Sequence, residues 1–321
     1  KTNEFEVKND KITSASYNIK AIKIPENIEF AGERVPMEKF FIREQVDREF
    51  LVNTYWQSNG LLWIKRAHKY FPIIEPILKE KGLPDDFKYI AVIESNLMNV
   101  TSPAGAKGFW QQLSGAAREN GLEVNSNVDE RYHLEKTTRA ACDYLLKAKK
   151  TFGTWALAAA AYHSGKGNIS KYLREQMVDS YYELLSGPNT ERYLPRILAA
   201  KYILSNPQKY GFQFDESELY VFPEYTTVKV DFPVANIAQF AKENNTTYRE
   251  LKILNPWLRE NKLNNKVHFP DDGCSGPIDF KLTDNVALII IDSECQTIDI
   301  FCYLFLTTYQ DIHCNPSIGR N

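Results

Sequence analysis

The chain has 321 residues, of which 43% are hydrophobic, with 39 Lys and Arg against 41 Asp and Glu. That is enough to bury a full core, with room for one large domain and one or two small ones. The near-neutral balance and the lack of any long basic run exclude steering of a phosphate backbone or an anionic membrane by charge alone, so no nucleic-acid partner is expected.

The opening "KTNEFEVKNDKITSAS" is polar and lacks an apolar signal-peptide core. The protein is therefore either cytoplasmic or the mature form of an exported one, and a signal peptide or lipid anchor removed upstream stays open. Residues 1–45 read as an extension or linker, with the proline-marked "IPENIEFAGERVP" wrapping the body or leading to an anchor. Helical patterns take over in 46–215. "VDREFLVNTYWQSNGLLWIKRAHKYFPIIEPILKEKG" predicts two or three helices, with Gly82 as a C-terminal cap and Pro84 restarting a helix. Further helices are expected near 135–150, 154–162, 167–178 and 190–205, and no strand alternation interrupts them. Residues 222–270 change character. "YTTVKV" alternates like a strand, "VANIAQFAKENN" and "TYRELKILN" read as short amphipathic helices, and "KVHFP" as a closing strand, which makes a compact βααβ unit. Residues 271–321 receive no assignment. Their apolar run from Ala287 to Leu306 is broken by Asp292, Glu294 and Asp299, which makes it a poor membrane span, so no transmembrane segment is expected. Cys142 stands alone, whereas Cys274, Cys295, Cys302 and Cys314 crowd the end without a C-x-x-C spacing. Disulfides or buried thiols are expected there rather than zinc, and nothing calls for a metal or cofactor.

One acid is out of place in this pattern. In "DDFKYIAVIESNL" the apolar run Tyr89 to Ile93 ends in Glu94. On a helix, Phe87, Ile90, Ala91 and Glu94 share one face, so the carboxylate extends a stripe that points to the core. The turn residues of "SNLMNVTSPAGAKG" end that helix at once and put Glu94 at its negative end. Burial and the helix dipole both disfavour the anion and favour the neutral carboxyl, the state that a general acid needs. The bland alternative is an acid that turns outward at the helix end and is solvated.

The neighbouring motifs weigh against that alternative. Glu94-Ser95 is followed by Ser102-Pro103-Ala104-Gly105-Ala106-Lys107-Gly108-Phe109-Trp110-Gln111, then by Ala161-Tyr162-His163-Ser164-Gly165-Lys166-Gly167-Asn168-Ile169, and "ERYLPRIL" closes the series. This ordered set resembles the soluble-lytic-transglycosylase family, over about residues 50–210, with a layout most similar to its membrane-bound murein transglycosylase D branch. The resemblance implies a mainly α, lysozyme-like catalytic domain. It also implies cleavage of the β-1,4 bond between N-acetylmuramic acid and N-acetylglucosamine in peptidoglycan; because the motifs around Glu94 offer no second acid, 1,6-anhydro-muramic ends are expected as product. It places the protein in the bacterial cell envelope, periplasmic and outer-membrane associated. By the same resemblance Glu94 is the catalytic acid and then base, and Tyr162 orients it through a hydrogen bond. Ser95, Ser102, Gly105, Gly108, Trp110, Gln111, His163 and Tyr193 fall on substrate-binding positions. The glycines suit a close backbone approach or a tight turn, and Trp110 suits a flat apolar contact with a sugar or, equally, a place in the core.

Two positions depart from the family pattern. His163 stands in place of Asn, and is read as a structural substitution ahead of a new titrating group. Gln112 replaces an aromatic residue at an expected core position and needs polar partners there. The βααβ unit resembles a LysM module, a small glycan-binding domain, through "LKILNPWL", although the usual "GDTL" turn is absent. A cut at Phe222 is expected to leave an active catalytic body that holds insoluble peptidoglycan less well. Two alternatives remain open at this stage: a goose-type-lysozyme-like hydrolase, and a catalytically weak peptidoglycan-binding protein.

Overall fold

The computed structural model describes residues 19–264 and 278–283. The expected closing strand at 266–270, the run Ala287 to Leu306 and the four clustered cysteines lie outside these residues. The described chain is mostly helical, as the sequence predicts, and divides into two compact units. One comprises 1–122 and 134–221; the other comprises 123–133 together with 222–321.

The first unit opens with a tight hairpin, β1 (Glu29–Phe30) against β2 (Glu33–Arg34). This segment belongs to the core rather than to a loose linker, because Ile28, Phe30, Val35 and Met37 are all buried in it. α1 (Phe40–Tyr55) and α2 (Gln57–Lys81) follow, and Gly82 caps α2, as expected, in the left-handed conformation. α2 runs unbroken through Pro72 and Pro76. A single 3-10 turn, Asp85–Phe87, leads into α3 (Lys88–Ser95), whose Ile90, Ala91 and Val92 are completely buried. Six-residue α4 (Ser114–Glu119) was not anticipated from the sequence. α5 (Leu134–Phe152), α6 (Trp155–Ser164), α7 (Lys166–Gln176), α8 (Pro188–Glu191) and α9 (Tyr193–Ser205) complete the unit.

Two carboxylates fix the helices that matter later. Glu33, from the N-terminal hairpin, accepts hydrogen bonds from the Trp155 and Ala156 amides at 2.7 and 3.0 Å and thereby caps the N-terminus of α6. Buried Glu49 on α1 pairs with Arg192 at 2.6 Å and pins the start of α9. Cys142, fully buried in α5, is a free thiol whose titration is pushed up to about 12 by that burial, so it stays protonated and inert.

The second unit is built on an antiparallel pair, β3 (Tyr225–Val230) and β4 (Ile278–Thr283), in register from Tyr225 opposite Thr283 to Val230 opposite Ile278. α10 (Ile237–Glu243) and α11 (Tyr248–Leu254) lie between them in sequence. α11 starts with a capping box, Thr247 and Glu250, which the sequence T-Y-R-E encodes. Strand β4 falls in the segment to which the sequence reading gave no element. Its alternation buries Phe280 and Leu282. Fully buried Asn255 bonds the Lys281 backbone in both directions, donating to the carbonyl at 2.8 Å and accepting from the amide at 2.9 Å.

Residues 123–133, which link α4 to α5 in sequence, are part of this second unit. Val128 and Tyr132 enter its core. The Asp129 amide donates to the Trp257 carbonyl and the Arg259 amide to the Asn127 carbonyl, both at 2.9 Å. The side chain of Asn127 donates to the Lys262 carbonyl at 2.7 Å and accepts from the Asn264 amide at 2.9 Å. His133 stacks on Trp257, and the Arg259 guanidinium lies over the Tyr132 ring.

Candidate active site

α3 ends immediately after Glu94, as its apolar stripe and following turn residues predict. The C-cap Asn96 and the next residue, Leu97, are both left-handed, at φ 53° and 54°, which turns the chain sharply away. Glu94 is left at the edge of the core with its side chain 18% exposed. It lines an open cleft of about 440 Å³ and is the one carboxylate among the described residues that do so.

The facing wall is the segment from Ser102 to Gln112. Ser102 closes a tight turn in which its Oγ accepts from the Ala106 amide at 3.0 Å. Lys107 bridges both Thr101 and Gln112 as short antiparallel pairs. Gly105 and Gly108 occupy this turn at φ 81° and 79°. A Cβ at Gly105 would meet nothing within 4 Å, so left-handed backbone and not crowding explains that glycine. Gln111 is left-handed without being glycine, at φ 47°, and its amide donates to the Val100 and Gly108 carbonyls at 3.0 and 2.8 Å. Such strain persists only where neighbouring bonds impose it.

The hydrogen bond to Glu94 expected from Tyr162 comes from a different tyrosine. Tyr162 does not hydrogen-bond Glu94; its hydroxyl donates to the Trp110 carbonyl at 2.7 Å and also bonds the Gln112 side chain. It ties α6 to the facing wall. The hydroxyl on Glu94 is that of Tyr193, which donates to Oε1 at 2.7 Å from the first turn of α9. Tyr193 is 1% exposed, so its ring is buried and not open to a ligand in the cleft. Burial first, and the neighbouring Glu94 carboxyl second, hold the Tyr193 phenol well above its ordinary range, so it remains a donor at every working pH. The same two causes act on Tyr162.

Of the other expected site residues, Ser102, Gln111, Tyr162 and His163 line the cleft with Glu94. Ser95 does not. It is buried and donates to the Ala91 and Phe109 carbonyls, which locks the end of α3 to the facing wall. Trp110 is fully buried with its indole N–H on Thr138, so it belongs to the core and offers no face to a sugar. Leu113, Ala116 and Asn120 line the cleft and were not foreseen, because they depend on α4; Tyr144 on α5 was also missed.

Residues 71–185 match the family described as the Transglycosylase SLT domain. Residues 226–268 match the soluble lytic transglycosylase C-terminal LysM-like domain. The chain is homologous to membrane-bound lytic murein transglycosylase D of Escherichia coli strain K12, at 28% identity over 260 residues, covering 77% of this chain and 53% of that protein. It thus spans about half the length of this curated relative. Among solved structures, the lytic transglycosylase Slt inactive mutant from Pseudomonas aeruginosa is similar at 22% identity and a TM-score of 0.37, covering 47% of this chain and 26% of that one. The 70-kDa soluble lytic transglycosylase of Escherichia coli is similar at 20% identity and a TM-score of 0.38, covering 54% and 32%. Both motifs of the SLT domain that the sequence analysis placed at 94–95 and 102–111, and the third at 161–169, fall inside the matched span. Tyr193 lies outside it.

With the Tyr193 bond in place, a test of the support role is direct. Tyr193→Phe is expected to lower the turnover of glycan by roughly ten- to a hundredfold, the equivalent of a hydrogen bond to a charged group, and to leave KM nearly unchanged. Steady-state kinetics on a soluble glycan check this, and an unchanged kcat would make Tyr193 a packing residue only.

Proposed function

We propose that this chain is a peptidoglycan lytic transglycosylase in which Glu94 acts first as acid and then as base. The observation that carries the proposal is the single carboxylate of the cleft, held by Tyr193 at 2.7 Å. Glycosidases that work through water or a protein nucleophile use two carboxylates, about 5 Å apart for retention or about 6.5–9.5 Å for inversion. No second one lines this cleft among the described residues. The nucleophile is then a hydroxyl of the substrate itself. Glu94 protonates the leaving oxygen, the N-acetyl carbonyl stabilises the positive charge that develops at the anomeric carbon, and the muramoyl 6-hydroxyl closes on that carbon as its proton returns to Glu94. Intramolecular attack carries a high effective molarity, which is why one carboxylate suffices.

The LysM-like unit, on this reading, holds the same glycan and raises its local concentration at the cleft. The place of action is the bacterial cell envelope, where the polymer is. No helix among the described residues is long and apolar enough to cross a membrane.

A mass spectrum of purified sacculi digested by the full chain tests the proposal. Muropeptides that end in 1,6-anhydro-N-acetylmuramic acid are expected, each lighter by one water than the hydrolysis product. Reducing ends alone would make water the nucleophile and the protein a hydrolase.

A further inference from the structure

His163 is an ionisable side chain in the cleft to which the chemistry above gives no task. Its ring lies nearly flat on the ring of Tyr193, with centroids 4.4 Å apart and planes at 21°. Its Nδ1 is 3.8 Å from Glu94 Oε1, and the side chain is 28% exposed, open to water and to substrate. Three elements therefore fix one arrangement: α3 supplies the acid, α9 supplies the phenol that orients both acid and imidazole, and α6 supplies the imidazole. Oε1 of Glu94 carries both neighbours, while Oε2 accepts no hydrogen bond from the described residues and is the oxygen available to a leaving group.

We propose that His163 relays the second proton of the reaction, a role that rests on the assignment of Glu94 as acid. In the first half Glu94 gives its proton to the leaving oxygen. The bond from the anomeric carbon to that oxygen breaks, its electron pair goes to the oxygen, and Glu94 is left as a carboxylate. In the second half an oxygen lone pair of the muramoyl 6-hydroxyl forms the new bond to the anomeric carbon. The hydroxyl proton passes to the neutral imidazole, and a proton leaves the ring at Nδ1 for Glu94 Oε1. Acid and imidazole are both neutral again, and exchange at the exposed ring restores the starting tautomer. One proton has left the pair and one has returned.

The geometry favours this route because the imidazolium exists only while Glu94 is a carboxylate. Two opposite charges 3.8 Å apart attract in that interval. A distance of 3.8 Å is too long for a resting hydrogen bond, and a small shift of either side chain closes it. Asn, which the family pattern has at this position, cannot carry the charge. The other ionisable groups around His163 are held or engaged elsewhere. Tyr162 on its own helix, Tyr144 on α5 and Tyr193 on α9 are all held above the ordinary phenol range by burial. Lys166 at the start of α7 lies over the Tyr144 ring, Arg196 lies near Tyr193, and Glu191 on α8 is engaged with the Ser186 and Gly187 amides.

The test compares pH profiles of kcat for the full chain and for His163→Asn and His163→Ala, on purified sacculi. The imidazole side chain is the one that ordinarily changes charge between roughly pH 5 and 8. The wild type should show a limb in that window, and His163→Asn should lose it along with roughly ten- to a hundredfold of the rate. Free imidazole should restore part of the rate to His163→Ala and none to Glu94→Gln. A wild-type rate in His163→Asn overturns the relay. So does a lowered rate with an unchanged profile and no rescue, which would make the ring a packing partner of Tyr193. The assignment of Glu94 stands or falls separately, on whether Glu94→Gln turns over.

Discussion

Glu94→Gln is expected to remove turnover, by on the order of 10²- to 10⁴-fold or more, while the fold and glycan attachment persist. The amide is nearly the same size as the acid, and its oxygen still accepts the Tyr193 hydroxyl that now lies 2.7 Å from Oε1. What the amide lacks is a proton that it can give up. The loss should therefore appear in kcat and not in retention on insoluble sacculi, and thermal unfolding should stay close to the wild type because the side chain is at the edge of the core. Near wild-type kcat in this variant would move the acid elsewhere and undo the site.

The second large effect concerns the cut at Phe222, which the sequence led us to expect would free an intact catalytic body. The structure changes that expectation. Residues 123–133 complete the core of the second unit through Val128 and Tyr132, and removal of residues 222–321 leaves both exposed. It also strips partners from the Asp129 amide and the Asn127 side chain. This segment runs directly from α4, which with its caps Leu113 and Asn120 supplies Leu113, Ala116 and Asn120 near the cleft, to α5, which supplies Tyr144. A displacement of about 1 Å in such a wall can cost about 10²-fold in rate. The truncated chain is expected to lose at least about tenfold in activity and to become sensitive to trypsin at Arg131. Full activity together with resistance at Arg131 would show that the segment holds its shape without the second unit.

Legibility in the sequence followed a physical line. Glu94 was legible because a helix has a strict period, and an acid that continues an apolar stripe breaks it visibly. Its hydrogen-bond partner was not, because Tyr193 lies 99 residues away and nothing local distinguishes it from Tyr162. Motif membership also blurred inside and outside. Trp110 and Gln111 are adjacent in the same motif, yet one is fully buried and the other lines the cleft. Helix α4 is too short to show a period and carries a glycine at its second position, so its contribution to the site stayed hidden. Strand β4 did alternate, from Ile278 to Thr283, but its partner β3 ends nearly fifty residues earlier, and pairing over that distance leaves no local trace.

The excursion of residues 123–133 into the second unit also bears on the order in which the chain is made. Val128 and Tyr132 leave the ribosome well before the strand and helices that cover them, since β3 begins at Tyr225 and β4 ends at Thr283. At roughly 5–20 residues per second, the delay before the last of these partners emerges is on the order of ten seconds. For that interval Val128 and Tyr132, carried on a mostly polar segment between two helices of the nascent chain, have nothing to bury them. The emergence of β4, and not that of the segment itself, sets the shape of the segment that joins α4 to α5.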